Sequence, residues 1–294
     1  MALREYLIGE VTQDYADGLM SRREAMRRLG LLALSAGAAS SLLAACGSEG
    51  EASAGATPTG TGGTATTAGT RADIVRFPGL SGELLGAWAA APKPKAAVLV
   101  IHENRGLTPH FHDLVKRFAA VGYSALCVDL LSPEGGTDSF TDPAAAPTAL
   151  SKAPMERLVG DLRAGIDELE RRVPGPKIGA VGFCFGGGMT WNLLNVGEDR
   201  LAAAVPFYGP APENPDFSKA KAAVLAIYGA LDTRVNATRP LVEAALVKAG
   251  LPHKILVFEG ADHAFFNDTG ARFNAKAAAE AWVAVLDWFK RYLD

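Results

Sequence analysis

Ile178-Gly179-Ala180-Val181-Gly182-Phe183-Cys184-Phe185-Gly186-Gly187 is the stretch on which the reading of this chain turns. The continuous apolar run Ile178–Phe183 predicts a strand buried on both faces. A helix is predicted directly after the glycines, over Met189–Leu194. Strand, sharp turn and helix around G-x-Nuc-x-G form the context of a nucleophile elbow, with Cys184 in the place where serine is commoner. The nucleophile of such a turn is strained, and neighbours without side chains let the backbone close. A helix N-terminus also favours a thiolate through the positive end of its dipole. Two plainer readings compete: a small buried cysteine in a glycine-rich turn, and a dinucleotide loop. In the second, Cys184 replaces the middle glycine of G-x-G-x-x-G and obstructs a pyrophosphate.

Outward from this stretch, Val98–Ile101, Ser124–Val128, Ala202–Phe207, Val224–Tyr228 and Ile255–Phe258 are similar apolar runs. Leu158, Leu162, Ile166 and Leu169 recur at helical spacing, as do Trp282, Leu286, Phe289 and Leu293. Two earlier extended pieces, Asp73–Phe77 and Leu84–Ala90, are expected to open the sheet in antiparallel fashion. Alternation of this kind predicts an α/β domain with a mostly parallel, doubly wound sheet and helices on both faces.

Of the five histidines, His263 follows the run Ile255–Phe258, in Gly260-Ala261-Asp262-His263-Ala264-Phe265. Asp232 follows Val224–Tyr228, in Gly229-Ala230-Leu231-Asp232. A thiol nucleophile needs a base and a group that orients it, and both candidates sit just past strand ends. The order nucleophile, acid, histidine is that of α/β-hydrolases. Plainer readings make Asp232 the N-cap of a helix over Ala237–Ala249 and His263 a satisfied loop histidine. Asp262 is a poor rival acid, because adjacent loop residues seldom orient each other's side chains. His110 and His112 at i and i+2 do not share a helix face, so no metal site is expected. His102 reads as a packing or hydrogen-bonding residue, and Cys127 as a buried, inert thiol.

Taken together, Gly182–Gly187, Gly229–Asp232, Asp262–Phe265 and Ile101-His102-Glu103-Asn104-Arg105-Gly106-Leu107 resemble the dienelactone hydrolase family. The resemblance implies an α/β-hydrolase fold and a Cys184–His263–Asp232 triad acting on lactones and esters, without metal or organic cofactor. It gives Glu103 the role of holding the cysteine at rest and helping to move its proton. It places the oxyanion hole at the backbone N–H groups of Asn104 and Phe185, donors of a kind that contribute about 2.7–4 kcal/mol each. Arg105, Tyr208, Phe265 and Asn267 are the pocket candidates, with Tyr208 equally readable as a core aromatic. Family members that act on dienelactone clamp its carboxylate with arginines. Here the position four residues after His263 is Asn267, and Val128–Pro154 contains no arginine.

The first 46 residues read as an address. Arg22-Arg23 and Arg27-Arg28 precede the weakly apolar Leu29–Ala45, which ends in Leu43-Ala44-Ala45-Cys46. The paired arginines resemble a twin-arginine export signal, and the ending resembles a lipobox, in which Cys46 is acylated. Residues 47–70 are Gly, Ser, Glu, Ala, Thr and Pro alone, a flexible leash with a mean reach on the order of 25–30 Å. The catalytic domain is expected over 71–294, and a lipid anchor at Cys46 would tether it to a membrane outside the cytoplasm.

In 294 residues, 29 basic and 32 acidic groups give a net charge of −3, which argues against a nucleic-acid partner. Three cysteines are too few for a disulfide scaffold. The expected partner is a small lactone or ester, and the expected state a monomer. Two other classes compete with a hydrolase: a binding lipoprotein that has kept the fold and lost activity, and a thiol redox protein. The triad residues argue against the first, and the absence of an accessible resolving cysteine against the second.

Overall fold

The computed structural model describes residues 3–46, 72–142 and 144–294. Two units are present. One takes in the described residues up to Tyr6 together with Ala72–Asp294, and the other lies within Leu7–Arg71.

Helices α1 (Leu3–Ala16), α2 (Arg22–Leu31) and α3 (Ala36–Cys46) occupy the N-terminal region. Ser21 caps α2, its hydroxyl accepting from the Glu24 N–H at 3.2 Å. Glu24 pairs with Arg27 and Arg28 at 2.8 and 2.6 Å, and these hydrogen bonds hold its carboxyl down at about 2. The apolar stretch Leu29–Ala45 is not one helix. Ala33 turns into the left-handed region (φ 61°), and Ser35 starts α3 by accepting from the Ala38 N–H at 3.2 Å. No helix among the described residues is long and apolar enough to cross a membrane. The leash at 47–70 lies outside the described residues, as does the side chain of Cys46.

In the larger unit the elements run β1 (Asp73–Gly79), β2 (Gly82–Ala89), β3 (Ala96–Ile101), α4 (Pro109–Ala120), β4 (Tyr123–Asp129), α5 (Ala145–Lys152), α6 (Met155–Arg172) and β5 (Ile178–Phe183). They continue with α7 (Phe185–Asn195), β6 (Leu201–Phe207), β7 (Ala223–Gly229), α8 (Thr233–Asn236), α9 (Arg239–Ala249), β8 (His253–Phe258) and α10 (Ala275–Tyr292). The sheet order is β1-β2-β4-β3-β5-β6-β7-β8. β1 and β2 pair antiparallel with each other and β2 with β4, and every later pairing is parallel. All six residues of β3 and all six of β5 are buried, as continuous apolar runs require. A fully buried Val, Leu or Ile side chain is worth about 1.5–3 kcal/mol, so these central strands anchor the core.

Helices cover both faces. Gly179 and Gly182 of β5 point to opposite sides, because side chains alternate along a strand. A Cβ on Gly179 would meet Leu293 and Phe289 beside α10, whereas one on Gly182 would meet Gly186 and Thr190 of α7. Phe118 of α4 stacks on Trp282 and Phe289 and so shares the α10 side, while α6 packs beside α7.

Two helix boundaries differ from expectation. α7 starts at Phe185 rather than Met189, taking in three glycines that are poor helix formers. Close packing outweighs propensity there, since a Cβ on Gly186 would lie 2.2 Å from the Ile101 carbonyl oxygen. The helix expected over Ala237–Ala249 starts at Arg239 as α9, and the separate short helix α8 precedes it.

Candidate active site

Leaving β3 the chain turns one way to β4, and leaving β4 it crosses to β5 on the other side of β3. The carboxyl ends of β3 and β5 therefore flank a topological switch point, where open α/β sheets bind ligands. Glu103 follows β3 and Cys184 follows β5. Cys184 has φ 56° and ψ −117°, a conformation L-residues rarely adopt, and its N–H donates to the Phe207 carbonyl at 3.1 Å. The turn closes because a Cβ on Gly182 would sit 2.1 Å from the Gly186 carbonyl oxygen. Phe185, the first residue of α7, has an N–H without an intrahelical acceptor, and Asn104 lies in the loop after β3.

The Asp232 and His263 loops follow β7 and β8. His263 Nδ1 donates to Asp232 Oδ2 at 2.6 Å, with both side chains buried. The other oxygen of Asp232 accepts from the Val235 N–H at 3.1 Å and caps α8. Asp232 thus holds the imidazole through one oxygen and, through the other, caps α8 rather than the helix expected over Ala237–Ala249, whose N-cap is Thr238. A ring nitrogen of the imidazole lies within 4.8 Å of Cys184 Sγ. Burial works against a charged imidazole, but Asp232 and the Cys184 thiolate hold the His263 pKa well above its ordinary value. Burial would raise Asp232, yet His263, Arg234 and the Val235 N–H keep it below the ordinary carboxylate range. Asp262 stays off the ring, accepting from the His263 backbone N–H at 2.7 Å and facing Arg272 at 3.4 Å.

Sequence reasoning missed Tyr6. It is 1% exposed, and its Oη lies 3.1 Å from Cys184 Sγ and 3.2 Å from His263 Nε2. The Arg234 guanidinium stands 4.5 Å from the centre of its ring. No spacing or motif flags a tyrosine 178 positions upstream of the cysteine it touches.

The carboxylate of Glu103 accepts from Asn267 Nδ2 at 2.8 Å and from the Tyr208 hydroxyl at 3.4 Å. Burial raises the Tyr208 pKa well above its ordinary value, and the charges of Glu103 and Cys184 push it further. A cleft of about 200 Å³ is walled by Tyr6, whose hydroxyl meets Cys184, and by Phe185, Met189, Asn192, Pro210 and Glu213 among others. The four expected pocket residues are not on its walls. Tyr208 and Asn267 are engaged with Glu103, Arg105 is exposed, and Phe265 is buried against Tyr208 and Phe207, where an aromatic ring recovers most from leaving water.

The remaining candidates have structural partners. His102 accepts from the Leu130 N–H through Nε2 at 3.1 Å, so its Nδ1–H donates to the Glu103 carbonyl at 2.6 Å. Burial lowers its pKa, which suits this neutral, two-ended bridge. His110 Nδ1 is 2.8 Å from Asp268 Oδ1. Cys127 is buried in β4, its thiol pKa raised by burial and then by Asp129.

The family model "Dienelactone hydrolase family" matches residues 85–293. A carboxymethylenebutenolidase-like protein of Escherichia coli O157:H7 is 32% identical over 235 residues, covering 72% of this chain and 84% of its own. One from Saccharolobus solfataricus is 29% identical over 246 residues, covering 71% of this chain and 95% of its own. Among solved structures, a dienelactone hydrolase-like protein of Klebsiella pneumoniae superposes with a TM-score of 0.68 at 29% identity, over 75% of this chain and 98% of the other. Acylaminoacyl peptidase, 19% identical with a TM-score of 0.58 over 75% of this chain and 41% of its own, shares the fold alone. On the strength of the matched span and the sheet topology, the chain is a hydrolase and belongs to the dienelactone hydrolase family.

Proposed function

We propose that this hydrolase cleaves lactones or activated carboxylic esters through Cys184, His263 and Asp232. The observation that carries the reading is the buried relay: Asp232 Oδ2 on His263 Nδ1 at 2.6 Å, with the same imidazole within 4.8 Å of Cys184 Sγ. The thiolate of Cys184 attacks the acyl carbon, and the oxyanion rests on the N–H groups of Asn104 and Phe185. The C–O bond then breaks, and the leaving oxygen takes the proton from His263 Nε2. A thioester remains. Water attacks it, giving its proton to His263, and the C–S bond breaks to return the thiolate. Asp232 fixes the tautomer and steadies the imidazolium throughout. Glu103, tethered by Asn267 and Tyr208, stands beside the cysteine loop as the group that keeps Cys184 at rest.

The chain that acts on this small-molecule substrate is one that we read as exported and held at a membrane by lipid on Cys46. Hydrolysis rates across a panel of lactones and aryl esters test the function. Cys184→Ala should abolish turnover with the fold intact, and Cys184→Ser should be much weaker than the parent, since a hydroxyl needs stronger base assistance. A serine variant as fast as the parent would refute the thiolate step.

A further inference from the structure

Tyr6 belongs to the same unit as the catalytic loops, and its phenol oxygen sits within hydrogen-bond reach of both reactive atoms, Cys184 Sγ at 3.1 Å and His263 Nε2 at 3.2 Å. An ester's leaving oxygen must occupy that place. It has to reach the imidazole for its proton and lie across the tetrahedral carbon from the attacking sulfur, within the roughly 3–3.5 Å of a reactive arrangement. The ring behind the oxygen is faced by the Arg234 guanidinium at 4.5 Å, a cation–π contact that an aliphatic alcohol does not make. Past the ring, the cleft walled by Phe185, Met189 and Pro210 offers apolar surface.

We propose that Tyr6 occupies the leaving-group subsite of this active site, so that the full chain carries its own competitor and the subsite is built for phenols, the leaving groups of aryl esters. The inference rests on the hydrolase reading of Cys184 and His263. With an aryl ester in place, Sγ bonds to the acyl carbon, the C–O electron pair goes to the phenolic oxygen, and His263 supplies its proton. Tyr6 and the substrate's aryl group cannot occupy the subsite together. A tethered ligand acts at millimolar effective concentration or above, so outside substrate competes poorly. Cleavage ahead of Cys46, which the export reading requires, removes Tyr6 and releases the site on arrival.

The experiment compares the full chain with its Tyr6→Ala and Tyr6→Phe variants. Tyr6→Ala should raise kcat/KM for phenyl acetate about tenfold or more and speed iodoacetamide alkylation of Cys184, read by peptide mapping. Phenol should inhibit Tyr6→Ala competitively and better than cyclohexanol, while inhibiting the parent weakly. Tyr6→Phe keeps the ring and guards against misfolding. It should alkylate faster than the parent yet still resist phenol. Equal rates in parent and Tyr6→Ala, slower turnover in Tyr6→Ala, or phenol no better than cyclohexanol would each overturn the inference. Turnover that survives Cys184→Ala in the Tyr6→Ala chain would instead sink the nucleophile assignment, while alkylation in the cysteine-bearing chains still scores the role of Tyr6.

Discussion

Asp232 divides its work between two oxygens: Oδ2 accepts from the His263 Nδ1–H at 2.6 Å, and Oδ1 accepts from the Val235 N–H at 3.1 Å in the first turn of α8. The two roles separate by substitution. Asn caps a helix about as well as Asp but presents the wrong partner to the imidazole. Asp232→Asn should therefore lose roughly a thousandfold or more in kcat while keeping the cap, with a smaller fall in Tm than Asp232→Ala. Asp232→Ala should lose comparable activity and about 1 kcal/mol of stability besides. Paired kinetics and thermal melts check both, and a Tm drop in Asp232→Asn as large as that in Asp232→Ala would contradict the division.

Stability should fall on the alkaline side through His263. Its folded pKa is raised, because Asp232 and the Cys184 thiolate outweigh burial. That contribution is complete below the unfolded value of about 6.5 and is lost as pH climbs through the native one. Asp232, held low, behaves oppositely and gives up its share only as acid protonates it, below about pH 4. Urea midpoints measured from about pH 7 to 9 should decline in the parent and decline less steeply in His263→Gln.

Neutral substrates should do at least as well as carboxylated ones. Asn267 spends its amide on Glu103, and the exposed Glu213 on the cleft wall adds negative charge near any bound carboxylate. Losing a charged partner in a buried pair costs about 2–5 kcal/mol, or some thirtyfold to several thousandfold. The matched pair is dienelactone and its methyl ester, compared by kcat/KM. A strong preference for the free acid would go against this, and its disappearance in Arg105→Ala would identify Arg105 as a substitute clamp.

Cys46 should carry lipid. A single acyl chain anchors only marginally, so membrane retention implies more than one. Cys46→Ala should leave an unprocessed precursor or release soluble protein. Unchanged size and unchanged membrane partition would remove the lipobox from the account.

The parallel strands were legible because β3 to β7 are buried on both faces and leave uninterrupted apolar runs in the chain. Cys184, Asp232 and His263 stood out because each follows an apolar run within a few residues. What stayed hidden depends on side chains meeting across long separations. Glu103 and Asn267 are 164 positions apart, and nothing in either neighbourhood announces the other. Tyr6 was hidden more deeply, inside a segment whose arginines and small residues invite reading as an address alone. The early start of α7 was missed because glycine propensity points away from a helix, whereas the packing of Gly186 against β3 demands one.

The glycines beneath the elbow set a boundary for anyone diversifying this enzyme. Added Cβ atoms at Gly182, Gly186, Gly187 and Gly209 would all run into main-chain atoms, at 2.1, 2.2, 2.4 and 2.2 Å, and main chain cannot step aside as a flexible side chain can. Libraries that touch those four codons will be filled with unfolded clones. Met155, Asn192 and Glu213 line the cleft with side chains that are half-buried or exposed, so they can be exchanged without disturbing a strand. New specificities are to be sought at those three positions, with the turn that carries the sulfur left as it stands.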